Sequence, residues 1–93
     1  MPGMNSSDPS RPRAKRIWFA ADLMHVELED GRVLHVRYDR FKRLGSATEA
    51  QRANWQLIGR GVGIHWPDLD EDLSTDGLLR DAVAVSASHE AAE

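Results

Sequence analysis

A chain of 93 residues, 41% apolar and 29% charged, has material for one domain and none for a second. It contains no cysteine, which excludes a disulfide framework and a thiolate zinc site. No apolar run approaches the ~20 residues that span a bilayer, and Met1-Pro2-Gly3-Met4-Asn5-Ser6-Ser7 lacks the apolar segment of a signal peptide, so no membrane association and a cytoplasmic location are expected.

The net charge of −3 at pH 7 is unevenly placed. Arg11, Arg13, Lys15 and Arg16 stand against Asp8 at the start. Residues 17–80 hold eight bases and eleven acids, and 81–93 carry Asp81, Glu90 and Glu93 with no base. A mildly acidic body disfavours a nucleic-acid footprint across its surface.

Residues 1–15 combine Pro2, Gly3, Pro9 and Pro12 with serines and arginines. Such a segment buries too little apolar surface to offset its ordering entropy, so a disordered basic arm is expected. The domain is expected at 16–80. The tail, 81–93, is expected to fray, with a helical extension through Val83 and Val85 as the alternative.

Ile17-Trp18-Phe19-Ala20 is a short apolar run of strand type. After Asp22, Met24, Val26 and Leu28 alternate with His25, Glu27 and Glu29, which predicts a strand with one buried face. Asp30-Gly31 marks a hairpin, and Leu34, Val36 and Tyr38 alternate with Val33, His35 and Arg37 on the return. A two-residue turn would set Val26 against His35. A three-residue Glu29-Asp30-Gly31 turn with Gly31 left-handed sets Val26 against Leu34 and Met24 against Val36, so burial selects the bulged turn.

Phe41-Lys42-Arg43-Leu44 predicts a helical turn closed by Gly45, and Thr48-Glu49-Ala50-Gln51 has capping-box spacing for a short helix to Asn54. Trp55–Ile58 and Val62–Trp66 predict a second hairpin around Gly59-Arg60-Gly61, ended by Pro67. Ser74 is the expected N-cap of a helix over Thr75–Arg80, with Leu73 and Leu78 as a hydrophobic staple. The expected order is β-β-α-β-β-α: an α+β domain with a small, mainly antiparallel sheet.

Several constellations invite a chemical reading. Asp68, Asp70, Asp72 and Asp76 occupy positions 1, 3, 5 and 9 of a calcium loop, but Leu73 and Leu79 stand where that loop needs Gly and Glu. They are expected to form an exposed acidic loop. His25 and His35 face each other in the bulged register with Glu27 nearby, short of the four ligands of a structural zinc site, so no metal is expected. Gly59, Gly61 and Gly63 lie between strands, where a dinucleotide loop does not. His65, flanked by Ile64 and Trp66, falls on the opposite strand face and is the weak candidate for a ligand site. Trp18, Trp55 and Trp66 are expected in the core, and any one left exposed would be an interface anchor. No catalytic residue and no cofactor are expected; without a cysteine nucleophile or a G-x-S-x-G elbow, a non-enzymatic protein is the reading.

The stretch from Trp55 through Gly61-Val62-Gly63-Ile64-His65-Trp66-Pro67-Asp68-Leu69-Asp70-Glu71-Asp72-Leu73-Ser74 closely resembles the signature of a bacterial family known as domain of unknown function 2442. The resemblance takes in Leu28-Glu29-Asp30-Gly31-Arg32, Arg43-Leu44, Ala47 to Arg52 and Gly77-Leu78-Leu79, roughly residues 17–80. It implies a small β-β-α-α-β-β-type fold. It also implies a gene beside one of the domain of unknown function 4160 family, in the manner of a toxin–antitoxin pair, and it supplies no catalytic residue. The chain departs from the family at Asp39-Arg40-Phe41-Lys42, where an aromatic-Phe-Pro turn is usual.

The expected function is therefore a protein-interaction module, the antitoxin-like member of a two-gene pair. Its partner is expected to be a small basic protein encoded nearby, contacted by Trp66, Asp68, Asp70, Glu71 and Asp72. The alternatives are a DNA-associated regulator acting through Arg11, Arg13, Lys15 and Arg16, and a small ligand-binding domain or enzyme around His65 and the acidic loop. Room is left for a homodimer.

Overall fold

The turn at Asp30-Gly31 frames the molecule. In the computed structural model, which describes residues 11–87, Gly31 takes a φ of 95° and donates its N–H to the Leu28 carbonyl at 3.0 Å. Glycine enters that left-handed region without steric cost. Strands β2 (Leu23–Leu28) and β3 (Arg32–Arg37) then pair antiparallel in the bulged register, with Met24 opposite Val36, Val26 opposite Leu34 and His25 opposite His35.

Strand β1 (Ala14–Ala20) adds to β2, placing Ile17 beside Val26, Trp18 beside His25 and Phe19 beside Met24. The register shifts between Ala14 and Arg16, which makes Lys15 a bulge residue. On the other edge β7 (Ala84–Ala87) pairs with β3, completing the order β1-β2-β3-β7.

Both ends of the expected domain move outward. The expected arm ends at residue 15, yet β1 begins at Ala14, which is 1% exposed. The Glu29 N–H donates to the Arg13 carbonyl at 2.9 Å, extending the pairing past Leu28. At the other end, neither fraying nor a helix describes Ala84–Ala87. The β-branched Val83 and Val85 lie along β3, starting from a Val83 N–H bond to the His35 carbonyl at 2.8 Å. Residues 1–10 and 88–93, the rest of the expected arm and tail, lie outside the described residues.

A second sheet replaces the single one expected. Strands β4 (Gln56–Ile58), β5 (Gly63–Trp66) and β6 (Glu71–Ser74) form an antiparallel sheet in that order. The turn between β4 and β5 is a 3₁₀ segment over Gly59–Gly61. The sequence marks for β5 and its end at Pro67 hold, but β6 runs through the segment expected as an acidic loop.

Three short helices close the fold. In α1 (Lys42–Gly45) Leu44 is buried. In α2 (Glu49–Ala53) the Thr48–Gln51 capping box is formed in both directions. Helix α3 (Thr75–Asp81) starts at Ser74, whose Oγ accepts the Gly77 N–H at 2.9 Å. The core joins Ile17, Met24, Val26, Leu28, Leu34 and Val36 of the first sheet to Leu44, Ile64, Trp66 and Leu78. The result is an α+β domain with seven strands and three α-helices among the described residues. No described helix is long and apolar enough to cross a membrane.

Candidate functional site

The alternation of β5 sends Ile64 and Trp66 into the core, both 0% exposed, and turns His65 outward. Opposite His65 lie Gln56 on β4 and Asp72 on β6. The His65 Nδ1 is hydrogen-bonded to Asp72 Oδ1. Such a contact orients the ring and sets its tautomer. On the same outer face Ile58 lies across Gly63: a Cβ at Gly63 would fall 3.0 Å from Ile58 Cγ1. Ile58 is 43% exposed and Leu57 on the same edge strand is 36% exposed.

At the end of this sheet the chain turns through Pro67–Asp70. The Leu69 N–H donates to the Trp66 carbonyl at 3.1 Å, and Asp70 takes a φ of 52°, a left-handed conformation that Asp tolerates better than most residues. Asp68 Oδ2 receives the Asn54 amide at 3.1 Å. Arg43 reaches across from α1, donating to the Asp70 carbonyl at 2.5 Å and lying 3.7 Å from Glu71 Oε1. The turn is thus pinned by backbone contacts while the Asp68, Asp70 and Asp72 side chains stay exposed.

Of the five residues expected to contact a partner, the structure brings these three aspartates to the surface together. Trp66 is corrected: it is fully buried, and its Nε1–H donates to the Arg52 carbonyl at 3.0 Å, closing the C-terminal end of α2. Tryptophan on an inward strand position buries its ring and finds a carbonyl for its N–H. Glu71, directly opposite Trp66, shares that inner face and is 19% exposed in its side chain. Three of the four aspartates of the calcium-loop spacing bond to separate partners, Asp68 to Asn54, Asp72 to His65 and Asp76 to Arg80 one helical turn on. The described residues hold no group of three or more His, Asp or Glu side chains able to share a metal ion.

Of the basic arm residues, Lys15 and Arg16 belong to β1, and Arg11 and Arg13 precede it. Arg16 is ion-paired with Glu27, which is only 8% exposed although its alternation placed it on a polar face. The Arg16 guanidinium also lies 5.2 Å from the Trp18 ring centroid. Arg13 reaches the Gly59 carbonyl at 3.4 Å. Lys15 and Arg11 remain exposed.

On the open face of the first sheet, the sequence reading missed the cover that Trp18 gives the histidine pair. Trp18, expected in the core, is 38% exposed and stacks on His25 at 5.4 Å between centroids. Trp55 is only half-buried against the core. His25 and His35 are in contact through their Nδ1 atoms, 2.9 Å apart, rather than separately solvated. Burial first, and the charge of His35 second, lower the His25 pKa from its ordinary 6.5. The register foretold that the two rings would meet; the cover by Trp18 required knowing that β1 pairs with β2.

The class these features define is a small two-sheet α+β domain whose second sheet carries an acidic turn and, on its edge strand, exposed apolar side chains. The chain belongs to the family described as protein of unknown function (DUF2442), whose model matches residues 14–84. A solved structure of a protein of unknown function from Rhodospirillum rubrum ATCC 11170 is 29% identical, with 78% of this chain and 90% of that one covered and a TM-score of 0.67. No curated protein matches.

Proposed function

We propose that the protein is a non-enzymatic interaction module, the antitoxin-like member of a two-gene pair, and that it receives a small basic partner protein on the turn between β5 and β6. The observation that carries this reading is the pinned, acidic turn: Asp68, Asp70 and Asp72 are exposed within five residues, on a backbone held by Arg43. Charges on a rigid turn steer an oppositely charged partner and set its register. Exposed Leu57 and Ile58 on the edge of the same sheet supply the apolar contact an interface core needs. The gene pairing implied by the family resemblance supports a partner encoded nearby.

A second reading rests on the His65–Asp72 contact. A carboxylate on Nδ1 leaves Nε2 as the nitrogen able to accept a proton or bind a ligand, so a small-ligand site at His65 is the runner-up. The nucleic-acid reading loses support from Arg16, whose charge is matched by Glu27.

The test is co-expression with the product of the adjacent gene, followed by the Asp68→Ser, Asp70→Ser double variant. The expected result is a complex that weakens with salt and loses roughly tenfold in affinity in the variant, with the melting temperature unchanged. Unchanged affinity and salt dependence would remove the acidic turn from the interface. Binding that instead fails in His65→Ala alone would favour the runner-up.

A further inference from the structure

A row of side chains crosses the open face of the first sheet and touches all four of its strands. Trp18 on β1 stacks on His25 of β2, with 16° between ring planes. His25 Nδ1 meets His35 Nδ1 of β3 at 2.9 Å, the rings edge to face. His35 Nε2 lies 2.8 Å from Ser86 Oγ on β7. At 2.9 Å two imidazole nitrogens are a hydrogen bond, so one donates and the other accepts. Whichever tautomers are present, a single proton lies between the rings.

We propose that this imidazole pair is a proton-operated latch on β7: with one proton between the rings the edge strand is seated, and protonation of both rings releases it. The pair tolerates its first extra proton, since an imidazolium still donates Nδ1–H to a neutral neighbour. The second extra proton leaves no lone pair on that line and sets two N–H groups and two positive charges against each other. One ring must then swing away, and when His35 turns its Nε2 leaves Ser86. What remains of the attachment is the short β3–β7 ladder, with every β7 residue exposed.

The surrounding charges do not neutralise a doubly charged pair. From β1 the same face presents Arg16, from β2 Glu27, and from β3 Arg37, by the strand alternation. Arg16 is bonded to Glu27 and Arg37 to Asp39. β7 contributes Ala84 and Ser86, neither charged. The lowered His25 pKa agrees with this setting. Because its folded value lies below the ordinary 6.5, the unfolded chain binds more protons in the window beneath 6.5. Stability is therefore complete above that pH and declines as pH falls through the window. The release belongs to the state in which both Nδ1 atoms carry hydrogen and no lone pair is left on the line between them.

The test is amide hydrogen exchange, as protection factors, at about pH 7.5 and about pH 5, on the protein and on His25→Gln and Ser86→Ala. In the unaltered protein the Val83 amide and those β7 amides that donate to β3 are expected to lose about tenfold or more in protection at the lower pH, while β5 amides hold theirs. In His25→Gln the pH-dependent loss at β7 should vanish. In Ser86→Ala, β7 should already be less protected at the higher pH and should lose little more on acidification. β5 protection reports whether each variant is folded, and His35→Gln replaces His25→Gln if that one is not. His65 and His89 are present throughout and cancel in the comparison. A β7 that keeps its protection at the lower pH, or one that loses it equally with either histidine replaced, overturns the latch.

Discussion

Gly61 lies against Ala14 so closely that a Cβ at Gly61 would stand 2.3 Å from the Ala14 carbonyl oxygen and 2.9 Å from its nitrogen. Gly61 also sits at a φ of 93°. The turn between β4 and β5 is thereby clamped onto the start of β1, and the two sheets are joined backbone to backbone. Gly61→Ala is expected to destabilise the protein by about 3 kcal/mol or more, combining left-handed strain with a clash that only movement of β1 relieves. Urea unfolding measures it, and a loss near that of an ordinary surface substitution would show the contact to be yielding.

Thr75 makes the next contact outward from that clamp. It is 0% exposed, its hydroxyl donates to the Gly61 carbonyl at 2.6 Å, and its N–H donates to the Val62 carbonyl at 2.9 Å. Thr75→Val keeps the shape and strands the Gly61 carbonyl without its donor. The expected cost is about 1–3 kcal/mol, with Thr75→Ser costing less because the hydroxyl is retained. Thermal melts of the pair separate the hydrogen bond from the methyl group, and equal losses would assign the effect to packing.

The three tryptophans should rank by burial. Trp66→Ala is expected to cost about 3–5 kcal/mol, comparable with the entire stability of a domain this size. Trp55→Ala should cost about 1–3 kcal/mol for a half-buried ring. Trp18→Ala should leave the fold standing and alter the environment of His25 instead. Thermal melts, with the His25 imidazole resonance followed by NMR, test the ranking. Unfolding by Trp18→Ala would contradict the open face.

The capping box at the start of α2 offers a smaller effect. Thr48 Oγ1 accepts the Gln51 N–H at 3.1 Å and Gln51 Oε1 accepts the Thr48 N–H at 3.0 Å. Thr48→Ala removes the first of these and should cost about 0.5–2 kcal/mol. Gln51→Ala removes the other and should cost less. A melting shift below that of Gln51→Ala would reverse the assignment.

Local signals were the legible part of this chain. The alternation of Met24, Val26 and Leu28, with Gly31 placed where a left-handed residue is needed, determined the β2–β3 register and thus the meeting of His25 with His35. Thr48 and Ser74 announced their helices because an N-cap is satisfied by a backbone N–H only three residues away. Pro67 ended β5 because it has no N–H to give. In each case the interacting groups are neighbours in sequence, and side-chain chemistry alone specifies the geometry.

The tertiary structure decided whatever depends on partners far along the chain. Glu71 and Asp72 read as acidic loop because their charges say solvent, yet β5 offered a free edge and the segment Glu71–Ser74 became a strand. Ala84 to Ala87 read as tail because nothing nearby orders them; β3, some fifty residues earlier, does. Trp18 and Trp66 are the same residue type on the same kind of strand, and one is exposed while the other is sealed. The sequence determined their alternation, but which face is covered depends on where α2, α3 and the second sheet come to rest, and only long-range packing settles that.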